Sequence, residues 1–211
     1  MTTYELVWDM DGTLLNTTEV VPAAFVRAVR TLRGPAAGAA DVVAAYWRGT
    51  PEVILEHLVG RPLTADEHEA YYRELDGIEV TPYPGVAEVF AELAARGRPR
   101  AVFTGASTRA ARLLLTAAGL VADVLVGGDR VGAPKPAPDG VLLAAHEIGA
   151  AAGDVAYVGD SPLDLRAATA AGSRGVAAAW GHMYDATEPA DLTLTDPRHA
   201  LALLTDLPRP V

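Results

Sequence analysis

Cysteine is absent from the 211-residue sequence, and this absence limits the chemistry that its sites can carry. Without thiols the chain has no disulfide framework, no cysteine nucleophile and no thiolate-bound metal. A bound metal would therefore have oxygen or imidazole ligands, and oxygen ligands are typical of a hard divalent cation such as Mg²⁺.

Basic residues are scarce. The sequence has 17 Lys and Arg against 27 Asp and Glu, which gives a net charge of −10 at pH 7. Such a surface repels phosphate backbones and anionic lipid headgroups, so we expect neither nucleic acid nor a membrane as a partner. Lys135 is the single lysine among sixteen arginines, which makes it a candidate for a specific role.

Long hydrophobic runs are also missing. No apolar run approaches the roughly 18 residues of a membrane span. The first residues include Glu5 and Asp9, where a signal peptide would be apolar. We therefore expect a cytoplasmic protein. The apolar fraction of 50% is typical of a globular chain with a sizeable core.

Short apolar runs recur along the chain between turn residues or charges, as in strands that are buried on both faces of a sheet. They are residues 6–8, 101–103, 124–126, 155–158 and 176–178. Stretches with apolar residues at i, i+3, i+4 and i+7 lie between some of them, which is helical spacing. Alternating strands and helices predict an α/β fold with a doubly wound parallel sheet.

The alternation is interrupted between about residue 17 and residue 80, where only helical patterns are found. We interpret residues 17–80 as an all-helical cap domain that is inserted into an α/β core of residues 1–16 and 81–211. The expected hinges lie near Leu15 and near residues 81–85, where proline and glycine are frequent.

Chemically active side chains follow several of the predicted strands. They are Asp9, Asp11, Thr104, Gly105, Lys135, Asp160 and Asp164. The carboxyl ends of parallel strands meet at one edge of the sheet, where α/β proteins bind their ligands. The sequence therefore predicts one site that gathers four aspartates, a threonine and a lysine.

Four aspartates bring four negative charges against the single positive charge of Lys135. Carboxylates that lie close together hold one another protonated unless a cation intervenes. Because Mg²⁺ prefers oxygen ligands and needs few carboxylates, we expect it at Asp9, Asp160 and the turn that leads to Asp11.

Phosphate monoesters hydrolyse extremely slowly in water, so an enzyme needs charge stabilisation together with a good nucleophile. Asp9 is the candidate nucleophile, since a carboxylate can attack phosphorus and form an aspartyl-phosphate. Asp11 is placed to protonate the leaving alkoxide and then to deprotonate the attacking water. Thr104, Lys135 and the backbone N–H at Gly105 would bind the phosphoryl oxygens.

These residues, in this order, resemble the four motifs of the haloacid dehalogenase superfamily. The motifs are Asp9-Met10-Asp11-Gly12-Thr13, a threonine that ends the next strand, a lone loop lysine, and Gly159-Asp160-Ser161-Pro162-Leu163-Asp164. The helical insertion is similar to that superfamily's C1 cap, and the size of the chain is similar to the phosphoglycolate phosphatase-like branch.

The resemblance implies a role for each matching position. It makes Asp9 the nucleophile, Asp11 the acid and base, and Thr104 and Lys135 the phosphate binders. Asp9 and Asp160 become Mg²⁺ ligands, and Asp164 becomes the partner of Lys135 or an outer-sphere ligand. Gly105 departs from the pattern, because relatives often have asparagine there, but its backbone N–H is retained.

The cap is expected to select the substrate. Arg48 lies in its middle, within Arg48-Gly49-Thr50-Pro51, and its forked cation suits an anionic or hydroxylated substrate. His182 follows the strand at 176–178 on the same edge of the sheet, and we expect it to pack within its loop.

The sequence therefore predicts a Mg²⁺-dependent phosphatase of a small soluble phosphomonoester, acting as a monomer or homodimer. The substrate stays open between phosphoglycolate, a sugar phosphate and a biosynthetic intermediate. A phosphomutase would use the same residues but release no free phosphate. The alternative that is not an enzyme is a receiver-type regulatory module, which accepts a phosphoryl group on aspartate. It would keep a stable phospho-aspartate without turnover.

Overall fold

The computed structural model of the protein describes residues 4–204. Its strands, in chain order, are β1 (Glu5–Trp8), β2 (Leu15–Asn16), β3 (Thr81–Pro82), β4 (Ala101–Phe103), β5 (Val124–Val126), β6 (Val155–Gly159), β7 (Arg174–Ala178) and β8 (Leu192–Leu194). Its α-helices are α1 (Val20–Thr31), α2 (Ala39–Ala45), α3 (Pro51–Val59), α4 (Ala65–Leu75), α5 (Val86–Ala95), α6 (Thr108–Ala117), α7 (Asp139–Glu147) and α8 (Pro162–Ala171).

Six parallel strands form the central sheet, in the order β5-β4-β1-β6-β7-β8. In β1, β4, β5 and β6, alternate residues belong to two different hydrophobic clusters. In β1, Leu6 and Trp8 pack into one cluster with α5 and α6, whereas Val7 packs into the other with α7 and α8. Both faces of the sheet are therefore covered by helices, which confirms the predicted doubly wound α/β fold.

All five predicted strands are present, but β8 and the short pair β2 and β3 were not predicted. β8 lies at the edge of the sheet and has the pattern Leu192-Thr193-Leu194, which is too short to establish a period. β2 and β3 contain two residues each, and Pro82 in β3 removes a backbone donor. Neither sequence carries enough apolar alternation to indicate a strand.

The segment between β2 and β3 contains α1 to α4 and a 3₁₀ helix at Tyr46–Arg48, with no strand among these described residues. The antiparallel pairing of β2 with β3 places the beginning and the end of this segment side by side. This arrangement matches the predicted all-helical insertion. Its boundaries as a separate cap domain stay a prediction.

The helical segment shares its apolar core with the sheet. Phe25 of α1, Leu55 of α3 and Leu75 of α4 belong to the same hydrophobic cluster as Trp8 of β1. Within residues 4–204, no helix combines the length and the apolar character that crossing a bilayer requires.

Candidate active site

The order of the strands brings the predicted site residues together. β1 lies between β4 and β6, with Trp8 level with Val102 on one side and with Val158 on the other. Because the three strands are parallel, the residues that follow them emerge at the same edge of the sheet. Asp9, Thr104 and Asp160 therefore become neighbours although they lie far apart in the sequence.

Lys135 reaches this edge from the loop after β5. Its Nζ lies 2.6 Å from Asp9 Oδ1 and 2.6 Å from Asp164 Oδ1. The Lys135 side chain is only 11% exposed. Burial lowers the pKa of Lys135, but the charges of Asp164 and Asp9 outweigh burial and raise the pKa above its ordinary value. The ammonium is therefore a fixed positive charge beside Asp9.

Asp164 uses both of its oxygens within the protein. Oδ1 accepts from Lys135 and lies 3.1 Å from the hydroxyl of Tyr157. Oδ2 accepts from the Ser161 backbone N–H at 3.0 Å and from the Ser161 hydroxyl at 2.6 Å, in the capping box that begins α8. This geometry matches a partner of Lys135, and both carboxylate oxygens of Asp164 are already engaged in hydrogen bonds within the protein.

Asp160 is held by two hydrogen bonds. Its Oδ1 accepts from the Thr13 hydroxyl at 3.3 Å and its Oδ2 accepts from the Met183 backbone N–H at 2.9 Å. The backbone of the β1 loop approaches it so closely that a Cβ at Gly12 would lie 2.3 Å from Asp160 Oδ2. Gly12 also has a φ of +85°. Glycine is therefore required at this position by space and by backbone conformation.

Asp9, Asp160 and Asp164 can each place a carboxylate oxygen so that all three lie within 4.8 Å of one another. Burial raises the pKa of Asp9 well above its ordinary value, and the charge of Asp164 raises it further. Burial also raises the pKa of Asp160. A buried, oxygen-only group with excess negative charge has the donor chemistry that a divalent cation requires.

The predicted metal set differs from this group at one position. The structure groups Asp164 with Asp9 and Asp160, whereas the sequence indicated Asp11. The Asp11 carboxylate instead accepts from the hydroxyl of Thr17 at 2.7 Å and from that of Thr104 at 3.4 Å. A metal-binding role for Asp11 stays a prediction, and its backbone carbonyl is the group that the predicted turn would contribute.

The surroundings of Asp11 suit a group that exchanges protons. Burial raises its pKa, and the hydrogen bond from Thr17 and the charge of Lys135 only partly offset this effect. The helical segment lies close to this carboxylate, because the Asp11 charge adds to the effect of burial in raising the pKa of Tyr46 and of Tyr71.

The site also includes residues that the sequence interpretation did not assign to it. His182 adjoins the site, with its Nδ1 3.9 Å from Asp160 Oδ2, and its expected packing within the loop stays a prediction. Thr17 and Tyr46 were not identified, because their proximity to Asp11 depends on the path of the helical segment. Thr13 lies within the first motif, so its position beside Asp160 could have been inferred from that motif.

The two remaining candidates lie on exposed surface. Gly105 is exposed, and an added Cβ there would meet no atom within 4 Å. Arg48 is exposed at the end of the 3₁₀ helix, where its guanidinium lies 4.7 Å from the centre of the Trp47 ring. The structure does not bring Arg48 into contact with the aspartates, and its substrate contact stays a prediction.

Comparison with known proteins gives a consistent result. A family model described as haloacid dehalogenase-like hydrolase matches residues 6–172. The "Probable phosphatase IndB" of Dickeya dadantii (strain 3937) is 33% identical over 199 residues, covering 88% of this chain and 86% of the relative. The phosphoglycolate phosphatase of Shigella boydii serotype 4 (strain Sb227) is 31% identical over 219 residues, covering 90% of this chain and 86% of the relative.

The fold is also similar to solved structures. The crystal structure of CbbY from Rhodobacter sphaeroides in complex with phosphate superposes with a TM-score of 0.77. The alignment covers 96% of this chain and 99% of that chain, with 24% sequence identity. At this identity the comparison shows a common fold.

Proposed function

The chain belongs to the haloacid dehalogenase-like hydrolase family, and we propose that it is a Mg²⁺-dependent phosphatase that acts through an aspartyl-phosphate on Asp9. Its phosphatase class follows from the family and from the two relatives, which are similar over most of their length. One observation carries the mechanism: Lys135 Nζ lies 2.6 Å from Asp9 Oδ1 at a buried group of carboxylates.

Asp9 is the nucleophile. Its Oδ1 is held by Lys135, while Oδ2 accepts no hydrogen bond among the contacts described for residues 4–204. An oxygen that the protein does not use is available for attack on phosphorus. Lys135 fixes the carboxylate and also provides positive charge where phosphoryl oxygens would lie, so the same ammonium orients the nucleophile and stabilises the transferred group.

Asp11 moves the proton. In the first half-reaction it donates a proton to the leaving oxygen as Asp9 forms its bond to phosphorus. In the second half-reaction it accepts a proton from the water that attacks the aspartyl-phosphate, and inorganic phosphate leaves. The hydrogen bonds from Thr17 and Thr104 hold the Asp11 carboxylate in place for both transfers.

Asp9 and Asp160 are the residues that would hold the cation. A bound Mg²⁺ would supply the positive charge that the carboxylates lack and that an incoming phosphate needs. Asp164 would act through Lys135, since its own oxygens are occupied. Thr104 and the N–H at Gly105 would complete the phosphate site from the end of β4.

The substrate is a small soluble phosphomonoester. Phosphoglycolate is the first compound to test, because a relative with 31% identity is named as its phosphatase. A sugar phosphate or a biosynthetic intermediate completes the panel.

Asp9→Asn tests the mechanism in an assay of phosphate release from p-nitrophenyl phosphate. We expect loss of turnover, because a neutral amide is a poor nucleophile for phosphorus. Asp154→Asn is the matched control, since it removes the same charge at an exposed position. Undiminished turnover by Asp9→Asn would refute the mechanism. Free phosphate also distinguishes a phosphatase from a phosphomutase, and continued turnover distinguishes it from a receiver-type module.

A further inference from the structure

Tyr72 of α4 connects the helical segment to the loop that follows β4. Its Oη lies 2.8 Å from the Oγ of Ser107, and the Tyr72 hydroxyl also donates to Glu52 of α3. Tyr72 and Ser107 are both buried. Ser107 lies three residues after Thr104 in the sequence, so this contact joins the helices above Asp11 to the loop that would bind phosphate.

The chemistry of these groups fixes the direction of the hydrogen bonds. A phenol has a single proton, and a carboxylate can only accept, so Tyr72 donates to Glu52. Ser107 must then donate to Tyr72, while its own Oγ accepts from the Ala110 backbone N–H at 3.3 Å. The result is a continuous chain from the first turn of α6 to α3 in which each hydroxyl donates once and accepts once.

Arg109 adds a second connection between the same elements. Its guanidinium lies 4.0 Å from the centre of the Tyr72 ring and forms an ion pair with Glu69, in which Nη2 is 2.7 Å from Oε2. Glu69 and Tyr72 lie one turn apart on α4, while Ser107 caps α6 and Arg109 lies in its first turn. Tyr72 is therefore held at its hydroxyl and on its ring face by one end of α6.

The elements joined by Tyr72 and Ser107, helix α4 and the loop after β4, both lead to the candidate active site. Within the loop, the Thr104 hydroxyl accepts from the Ala106 N–H at 3.1 Å and lies 3.4 Å from Asp11 Oδ2. On α4, the neighbouring Tyr71 stacks on Phe25 of α1 with ring centres 4.1 Å apart. A shift of α4 away from α6 would therefore disturb both the helices that lie near Asp11 and the loop after β4.

We propose that Tyr72 is a positioning residue, whose hydroxyl locks α4 onto the loop after β4 and so holds the helical segment over Asp11 and the reacting phosphate. This inference rests on the proposed phosphatase function. Tyr72 does not touch the reacting atoms; it favours the closed arrangement, in which bulk water is excluded and the leaving oxygen is aligned with Asp11.

Loss of the Tyr72 hydroxyl should act mainly on the closed arrangement. In that arrangement Tyr72→Phe leaves the buried Ser107 hydroxyl without its acceptor, whereas water satisfies this hydroxyl when α4 and α6 separate. Such a loss corresponds to a roughly 5- to 30-fold change in the closing equilibrium. The contact with Glu52 lies within the helical segment and is the same in both arrangements. Glu52→Gln keeps an acceptor for the Tyr72 proton and should have a smaller effect.

The test compares two leaving groups in the Mg²⁺-loaded enzyme. For phosphoglycolate, or another alkyl phosphate that the wild type hydrolyses, we expect Tyr72→Phe to lower kcat/KM about 5- to 30-fold. For p-nitrophenyl phosphate, whose leaving group needs little protonation, we expect a change of less than about threefold, since alignment with Asp11 matters less. Tyr4→Phe is the matched control, because it removes a hydrogen-bonded tyrosine hydroxyl away from the site, from a ring that also has an arginine over its face.

A double-mutant cycle with Ser107→Ala gives a second readout. If the Tyr72–Ser107 hydrogen bond closes the enzyme, the double variant should be no more than about twofold slower on the alkyl phosphate than the slower single variant. Multiplicative effects, an equal loss on both substrates, or wild-type kinetics in Tyr72→Phe would each overturn the proposal. A wild type that releases no phosphate from any substrate would instead refute the proposed function, and this inference with it.

Discussion

Asp160→Asn should stabilise the metal-free protein while it abolishes stabilisation by Mg²⁺. In the structure Asp160 shares a buried group with Asp9 and Asp164, in which one carboxylate oxygen of each residue lies within 4.8 Å of the other two. At that distance and an effective dielectric constant of about 20, each pair of like charges repels by roughly 3 kcal/mol. Without a cation, this repulsion destabilises the folded state.

The expected magnitude is a difference of opposing effects. Repulsion of Asp160 by two carboxylates is about 6 kcal/mol in all at full charge, and the attraction of His182 and Lys135 offsets part of it. Asparagine keeps an oxygen for the Thr13 hydroxyl but loses the acceptor for the Met183 N–H, which costs roughly 1–2 kcal/mol. The variant should therefore gain about 1–2 kcal/mol in the free energy of unfolding without metal, or roughly 3–6 °C in Tm.

The assay is urea and thermal unfolding in EDTA and in MgCl₂. In EDTA the variant should be more stable than the wild type. At Mg²⁺ concentrations about 100-fold above Kd the wild type should gain roughly 2.7 kcal/mol and the variant almost nothing, so the order reverses. Asp154→Asn, which changes an exposed aspartate, should follow the wild type in both conditions. A variant that is less stable in EDTA, or that gains as much from Mg²⁺, would refute the reasoning.

Three further predictions follow from the same geometry. Burial and neighbouring charge raise the pKa of Asp160 in the folded state, so its ionisation destabilises the fold as pH rises. The stability that Asp160→Asn gains over the wild type in EDTA should therefore shrink as pH is lowered from 7 toward 4. A stability difference that stays constant with pH would contradict this. Gly12→Ala places a Cβ only 2.3 Å from Asp160 Oδ2 at a position with a φ of +85°. It should lower the free energy of unfolding by about 1–3 kcal/mol and remove most of the phosphatase activity. Gly153→Ala is the control with neither effect, because the nearest atom to its Cβ would be 3.9 Å away. Arg48→Ala should change the ranking of a panel of phosphorylated metabolites, and a ranking equal to that of Arg61→Ala would remove Arg48 from the substrate site.

The sheet and the positions of its aspartates could be predicted because both depend on short-range patterns. Apolar runs such as residues 101–103 indicate doubly buried strands, and the parallel arrangement then brings the residues after them to one edge. Asp9 and Asp160 are therefore neighbours, as the sequence predicts, since their strands β1 and β6 pair directly. Lys135 was identified because a single lysine among sixteen arginines is a compositional signal.

The surroundings of Asp11 could not be predicted in the same way. Thr17, Tyr46 and Tyr71 approach it from a segment whose direction depends on how four helices pack, and hydrophobic periodicity does not specify the angle between helices. The role of Tyr72 could not be predicted for the same reason, because its spacing indicates only a buried residue on a helix. Its partner Ser107 becomes visible only when α4 and α6 are placed against each other.

The geometry also gives a physical reason for the solitary lysine. An ammonium is a compact charge with three donors. Here it binds two carboxylate oxygens that each lie 2.6 Å away, and its Nζ lies 4.9 Å from the centre of the Phe103 ring and 5.3 Å from that of the Tyr157 ring. In the proposed mechanism, the third donor of Lys135 binds a phosphoryl oxygen. A guanidinium is planar and spreads its charge over three nitrogens, so it cannot direct three bonds from one atom toward two carboxylates and a phosphate. A composition that favours arginine elsewhere is therefore compatible with lysine at 135, because the proposed mechanism requires a point charge between Asp9 and Asp164.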